Sequence, residues 1–182
     1  MNRNLAFPLA ALLALLAAGC VQQASAPAPA PAPVTTPRPA PAPTASPITA
    51  PANWNDAPQT PGDWHHRILN GQSTALFNDP GGAVRVMLAC DLGRGTVSLG
   101  RAAEAPGAVQ MRIYTEARNA SLSAQPHAGT VPMVVAALPA RDPLLDAIAF
   151  SRGRFAVEVA GLQTLYLPSW PEITRVIEDC RP

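Results

Sequence analysis

The amino-acid sequence predicts an all-β domain, an antiparallel sandwich or small barrel, with two short helices added to it. Three observations predict this class: an Asn70-Gly71 pair between two strand-like stretches, alternation of apolar and polar residues in later segments, and turn-forming clusters between those segments. Asn-Gly is the strongest short-range hairpin signal. Short strands separated by such turns are typical of a sandwich or barrel.

The strand-like segments follow one another along the chain. The first two, 64–69 and 73–78, flank the Asn70-Gly71 turn. The others span 84–90, 96–101, 109–115, 118–124, 131–138, 154–160 and 163–167. Alternation predicts one buried and one wet face for each strand. The side chains predicted to face solvent in two of these strands are those of Gln110, Arg112, Tyr114, Arg154, Ala156 and Glu158.

Two helices interrupt the strand pattern. Asp142 before Pro143 provides an N-cap and a proline at the first helical position, which predicts a short helix near 143–150. Ser169 and Glu172 have the spacing of a capping box, which predicts a C-terminal helix near 170–180. Both helices are expected to lie at the periphery of the β structure.

The first twenty residues have the pattern of an export signal. Arg3 precedes an apolar run from 5 to 18 that ends in Gly19-Cys20. Such a run is a secretory signal peptide, and it is shorter than the roughly 20 residues that span a bilayer. The ending resembles a lipobox, which implies cleavage before Cys20 and lipid on its thiol. The alternative is an ordinary secreted protein cut after Ala26, since 24–26 also fits an A-x-A site.

The chain has three cysteines, which are Cys20, Cys90 and Cys180. Lipidation of Cys20 leaves two, and two cysteines in an oxidising compartment are expected to pair. Cys90 lies on the apolar face of a predicted strand, and Cys180 lies on the apolar stripe of the predicted last helix. The sequence therefore predicts a Cys90–Cys180 disulfide that closes a loop of about 90 residues. The alternative is two buried free thiols.

Three regions follow from these patterns. Residues 1–19 are predicted to be the signal peptide, and residues 53–182 one globular β domain. Between them, 20–52 carries the lipidated cysteine and a Pro/Ala-rich stalk in which ten of the chain's 22 prolines lie between 24 and 51. Dense proline excludes helix and sheet, so a disordered spacer with polyproline II character is expected.

The charge composition restricts the kinds of partner that the protein is expected to bind. All 13 basic residues are arginine, and 12 acidic residues oppose them, for a net charge of +1 that falls to zero once Arg3 is removed. No basic stripe is present, so nucleic acid is not a predicted partner. The predicted partners are a membrane, through lipid on Cys20, and an envelope protein or glycan.

Candidate catalytic and metal-binding residues have simpler structural explanations. His65, His66 and His127 could approach zinc, but adjacent side chains on a strand point to opposite faces, so no metal site is predicted. Asp142 and Asp146 are four apart, yet Asp142 is explained as the helix cap. Serine-nucleophile, zinc-protease and phosphate-loop motifs are missing. No catalytic residue or cofactor is therefore predicted.

Two further features are candidate binding sites. Arg152 and Arg154 lie in a loop between a helix and a strand, and they could hold an anion or a partner. The simpler interpretation is a glycine turn with solvated arginines. Trp54, Trp64 and Trp170 are expected in the core rather than in a binding platform.

The stretches 141–147, 169–173 and 178–181 resemble an uncharacterised alphaproteobacterial lipoprotein family, over about the whole domain. The helix with its Asp-x-Leu-Leu-Asp-Ala pattern from 142, the hairpin after it and 165–168 are similar to the invasion-associated locus B family of exported β proteins. The first resemblance implies no known activity. The second implies a β fold and an envelope location.

Function is predicted from anchoring rather than from chemistry. The expected protein is a lipid-anchored, non-catalytic binding or structural module. Val21 and not Asp follows Cys20, which favours the outer membrane, and the domain is expected to face the periplasm. The alternatives are an inhibitor of an envelope hydrolase, a host-facing factor, and an enzyme.

Overall fold

The computed structural model describes residues 54–181, so the predicted signal peptide, Cys20 and the predicted stalk lie outside the described residues. In chain order the strands are β1 (Asp63–Leu69), β2 (Gln72–Asn78), β3 (Val84–Asp91), β4 (Thr96–Ala102), β5 (Val109–Tyr114), β6 (Asn119–His127), β7 (Met133–Pro139), β8 (Arg154–Val159) and β9 (Leu165–Pro168). The helices are α1 (Pro143–Ala149), between β7 and β8, and α2 (Pro171–Asp179), after β9. The all-β prediction with two short helices is confirmed.

The strands form one antiparallel sheet in the order β1-β2-β3-β4-β7-β6-β5-β8-β9. Strand β6 belongs to both halves of this sheet, because its residues 119–124 pair with β5 and its residues 125–127 pair with β7. The ladder is open, with β1 and β9 at its ends. This strand therefore joins two halves of a sandwich-like arrangement.

The two edge strands are joined by side-chain and loop contacts instead of a ladder. Trp64 Nε1 in β1 donates a hydrogen bond of 3.0 Å to the carbonyl of Pro168 in β9. Just before β1, Thr60 exchanges two bonds of 2.9 Å with the backbone of Tyr166 in β9. The sheet is consequently curved until its edges approach each other.

The first hairpin has the turn that its sequence predicts. Asn70 and Gly71 both have positive φ angles, 51° and 77°, as a two-residue type I′ turn requires. The turn sets a register in which Trp64 is opposite Phe77 and Ile68 is opposite Ser73. Trp64, His66 and Ile68 therefore share the face of β1 that looks toward the core.

The core contains both helices as well as the inner face of the sheet. Helix α2 contacts β1, β2, β3 and α1, and its apolar stripe is buried against them. Burial of such stripes is the main favourable term in folding. The residues that the two helices add to the core are Leu144, Leu145, Ile148, Ala149, Ile173, Val176 and Ile177. The apolar stripes of the helices thus cover the inner face, while α2 keeps a polar side exposed.

Two residues predicted to face solvent are buried, namely Tyr114 and Ala156. The segment that precedes β1 covers this part of the outer face. Trp54 packs on Tyr114 with ring centroids 6.5 Å apart, and the Ala57 carbonyl accepts a hydrogen bond from Arg154. Alternation failed here because residues distant in sequence cover the face.

Helix α1 begins as predicted, because Asp142 Oδ1 accepts a hydrogen bond of 2.8 Å from the Leu144 N–H. Helix α2 begins one residue later than the predicted capping box. Trp170 occupies the N-cap without a side-chain bond, and Pro171 follows it. Ser169 instead donates 2.8 Å to the Ile148 carbonyl near the end of α1. The prediction of a capping box at Ser169 is wrong, because the Ser169 hydroxyl bonds α1 and does not cap α2.

The tryptophans divide between core and surface. Trp64 is buried as expected and lies edge-on to Phe77 at 5.3 Å. Trp54 is half-buried, and Trp170 is partly exposed, so neither is the core residue that was expected. Within residues 54–181 no helix is both long and apolar enough to cross a membrane.

Candidate functional site

The predicted disulfide is present. Cys90, near the end of β3, is bonded to Cys180, which follows the last residue of α2, and their Cα atoms are 5.4 Å apart. Both cysteines are buried. The bridge fixes the C-terminal end of α2 to the centre of the sheet's first half, and the prediction for this pair is confirmed.

A cluster of His66, Ser73 and Asp179 lies close to the disulfide. His66 Nε2 is 2.8 Å from Ser73 Oγ, and Ser73 Oγ donates a bond of 2.5 Å to Asp179 Oδ2. The same ring nitrogen is 3.8 Å from Asp179 Oδ2. His66 and Ser73 come from the first hairpin, whereas Asp179 ends α2. The cluster therefore holds the helix on the hairpin.

The order of contacts in this cluster determines its chemistry. In a serine-hydrolase triad the histidine lies between serine and carboxylate, and it contacts them through different ring nitrogens. Here Ser73 lies between His66 and Asp179. The same ring nitrogen of the histidine, Nε2, approaches both the serine and the carboxylate. The Ser73 proton points to a carboxylate, which is a weak base. This arrangement stabilises α2 on β1 and β2 rather than activating Ser73.

The other histidines are not part of this cluster. His65 is exposed on the opposite face of β1, and His127 is exposed at the end of β6. Among residues 54–181, no group of three or more histidine, cysteine, aspartate or glutamate residues is arranged to hold a metal ion.

The two loop arginines have separate partners. The side chain of Arg152 is 90% exposed, and its Nε is 3.6 Å from Glu116 Oε2. Arg154 donates to the Ala57 carbonyl, and thereby holds the segment that precedes β1. Their guanidinium groups do not share a contact. Binding of an anion or a partner by this loop stays a prediction.

Arg181, which follows Cys180, links the C-terminal end of α2 to α1. Its Nη1 donates 2.7 Å to Asp146 Oδ1 in α1, and its Nε donates 2.6 Å to the Ala140 carbonyl. Asp146 is thus paired with the residue after Cys180 and not with Asp142. The consequence is a direct link between the C-terminal end of α2 and α1.

Two polar groups on the sheet have shifted pKa values. Burial, followed by a hydrogen bond to Glu158, raises the pKa of Tyr114 to about 12. The Tyr114 hydroxyl donates 2.7 Å to Glu158, which also pairs with Arg112 at 2.9 Å. Burial, followed by the positive charge of Arg85, lowers the pKa of the Arg101 guanidinium. Arg101 is 3% exposed, and its Nη1 donates 2.9 Å to the Ala102 carbonyl.

Two surface depressions flank α2. One, of 630 Å³, follows the exposed side of the helix and has charges of both signs in its lining, from Glu172, Arg175 and Glu178. The other, of 440 Å³, lies at the end of the first hairpin beyond the helix terminus, and Ser73 and Asp179 form part of its wall. The cluster therefore separates two depressions of different character.

Sequence reasoning missed the cluster because two of its members are far apart in the chain, with Ser73 and Asp179 106 residues apart. The hairpin register alone would have placed His66 diagonally opposite Ser73, since His66 pairs with Ala75. That signal was available in the Asn70-Gly71 turn.

Comparison with protein-family models, with curated proteins and with solved structures found no match to the chain in any of the three. The two family resemblances noted in the sequence therefore stay predictions, and the function has to be argued from the chain's own residues.

Proposed function

We propose that this chain is a lipid-anchored protein of the bacterial cell envelope whose β domain is a non-catalytic binding or structural accessory module. The observation that carries the proposal is the Cys90–Cys180 disulfide. Since Cys90 and Cys180 are bonded to each other, Cys20 is the one cysteine left to explain. It directly follows the predicted export signal. Lipidation accounts for a cysteine in that place.

The disulfide also supports the compartment. Disulfides form and persist in oxidising environments such as the periplasm, and they are rare in the cytosol. The buried disulfide and the predicted export signal both favour a location outside the cytosol. Val21 after Cys20 supports the outer membrane, with the domain facing the periplasm.

The accessory role is supported by the stalk and by the contacts of Ser73. A proline-rich spacer gives an anchored domain reach, at about 3.1 Å per residue when extended. The serine that lies next to a histidine and an aspartate donates to the carboxylate, which supports a structural role for the cluster. The partner is an envelope protein or a glycan.

The anchoring is tested by replacing Cys20 with serine. We expect Cys20→Ser to abolish incorporation of labelled palmitate and to move the protein into the soluble periplasmic or culture fraction. The matched control is Cys180→Ser, which should keep the label and lose the Cys90 disulfide. Palmitate labelling of Cys20→Ser, or a native N-terminus at Pro27, would contradict lipidation.

The accessory role is tested by crosslinking and mass spectrometry in the native envelope. A repeated crosslink between the domain and one envelope protein or glycan strand is the expected result. A lytic enzyme as the main crosslinked partner, with its activity inhibited by the purified chain, would replace the accessory role with inhibition. Hydrolysis of an envelope substrate that is lost in Ser73→Ala would contradict the non-catalytic proposal.

A further inference from the structure

A cleft with both apolar and acidic residues in its lining lies where the first hairpin extends past the end of α2. Its volume is 440 Å³, within the range of small-ligand and side-chain pockets. Ile68 from β1 and Leu92 from the turn after β3 line it, together with Cys90 and Ser73. The disulfide that holds α2 is thus next to this opening.

The two apolar residues of the cleft are unusually exposed for their type. Ile68 is 62% exposed and Leu92 is 59% exposed. Ile68 shares its face of β1 with Trp64 and His66, so alternation directs it toward the core. It stays uncovered because α2 ends at Asp179, before the helix reaches this part of the hairpin. A ligand that covers these two side chains would remove their exposed apolar surface from water, which favours binding.

The frame of the cleft is fixed before any ligand binds. One side is the two-residue turn at Asn70-Gly71, and the other is the turn from Asp91, whose Oδ1 accepts 3.1 Å from the Arg94 N–H. The Cys90–Cys180 bridge connects the Asp91 side to the end of α2, and the Ser73–Asp179 hydrogen bond connects the hairpin side to it. A rigid frame lowers the conformational cost of binding.

The charges at the cleft have one sign. Asp91 and Asp179 both line it, and its lining contains no basic residue. Asp91 is partly neutralised, because Arg94 Nε is 3.7 Å from its Oδ2. Asp179 Oδ2 accepts from Ser73, and among residues 54–181 its Oδ1 has no hydrogen-bond partner. A cation next to an apolar group complements this surface.

We propose that the cleft binds a segment of another polypeptide that presents a leucine-sized apolar side chain beside a lysine or arginine. The apolar side chain lies between Ile68 and Leu92, and the cation approaches the free Asp179 oxygen. This inference rests on the proposed function and deepens it, since it assigns the accessory module a binding surface and a chemical class of partner.

The test is photocrosslinking of the purified full chain. The probe is a hexapeptide in which lysine alternates with photoreactive leucine, and its control has glutamate in place of lysine. We expect the lysine peptide to label tryptic fragments 68–85 and 86–94, and 0.5 M salt to weaken that labelling. Leu92→Ser should bind it at least tenfold more weakly, and Ile68→Ser should repeat this result if Leu92→Ser misfolds.

The matched control is Phe150→Ser, because Phe150 is 72% exposed and lies outside the cleft. Equal labelling by the glutamate peptide, an equal loss in Phe150→Ser, labelling elsewhere or no labelling would each overturn the inference. A dimer that Leu92→Ser dissociates would also overturn it, since a second copy would then fill the cleft. The assay needs no lipid, so its failure leaves the Cys20 test unaffected.

Discussion

The indole N–H of Trp64 donates a hydrogen bond of 3.0 Å to the carbonyl of Pro168, 104 residues later in the chain. Trp64 lies in the first strand of the sheet and Pro168 ends the last. Both strands have a free edge, and exposed edges are open to unwanted pairing. The bond thus connects two edges that no ladder joins, while the Trp64 ring packs in the core.

Loss of this bond should destabilise the domain. Trp64→Phe retains an aromatic ring but leaves the Pro168 carbonyl without its donor, and an unsatisfied buried acceptor costs about 1–3 kcal/mol. Urea unfolding followed by circular dichroism measures the change. Trp170→Phe, at a partly exposed site, should change the free energy of unfolding by about 0.5 kcal/mol or less. Equal values for the two variants would contradict a structural role for the Trp64 bond.

The disulfide should contribute about 2–5 kcal/mol, the usual value in a small exported domain. Cys180→Ser removes it, and hydrogen exchange should rise first in residues 171–179, because α2 then depends on its apolar stripe and on the Asp179 and Arg181 contacts. Non-reducing peptide mapping of the native protein should recover Cys90 and Cys180 in one linked pair. Alkylation of both thiols in unreduced protein would refute the bridge.

Tyr114 should make stability fall at high pH. Its pKa is about 12 in the folded protein, raised first by burial and then by Glu158, whereas an unfolded chain ionises tyrosine near 10. The contribution is therefore complete below about pH 10 and is lost as the pH rises toward 12. Tyr114→Phe should remove this pH dependence. Titration of the phenolate absorbance should show Glu158→Gln lowering the Tyr114 pKa only in part, since burial remains.

The two loop arginines should differ in their effect on stability. From sequence alone, both alanine variants are expected to cost less than about 1 kcal/mol. The structure separates them, because Arg154 donates to the Ala57 carbonyl while Arg152 extends into solvent. We expect about 1.5–3 kcal/mol for Arg154→Ala, as for a hydrogen bond with a charged donor. Arg152→Ala should cost about 0.5 kcal/mol or less.

Thermal or urea unfolding of both variants tests this difference. Arg154→Ala should also raise proteolytic cleavage within residues 54–60, since that segment loses a contact. If Arg152→Ala removes a cellular phenotype and keeps the unfolding curve unchanged, the loop is a partner or anion site.

Local patterns predicted the strands well and the covered surfaces poorly. The Asn70-Gly71 turn and the apolar alternation of the later strands depend on neighbouring residues, so the sequence is sufficient to locate them. The burial of Tyr114 depends on Trp54, about 60 residues away, and the start of α2 depends on a contact between Ser169 and α1. The disulfide was predictable because Cys90 and Cys180 both lie on apolar faces of predicted elements and few cysteines compete for pairing, whereas no such rule joins Ser73 to Asp179.

Strand β1 pairs with β2, and its other contacts come from the last residues of the domain. Pro168 and α2 contact the hairpin that begins at Asp63. During synthesis the hairpin emerges from the ribosome about a hundred residues before these partners, and closing such long loops is slow. The inner face of β1 and β2 thus stays without its cover until residue 180 has emerged. The order in which the segments of the chain appear thus delays folding of the domain until the last helix has been made.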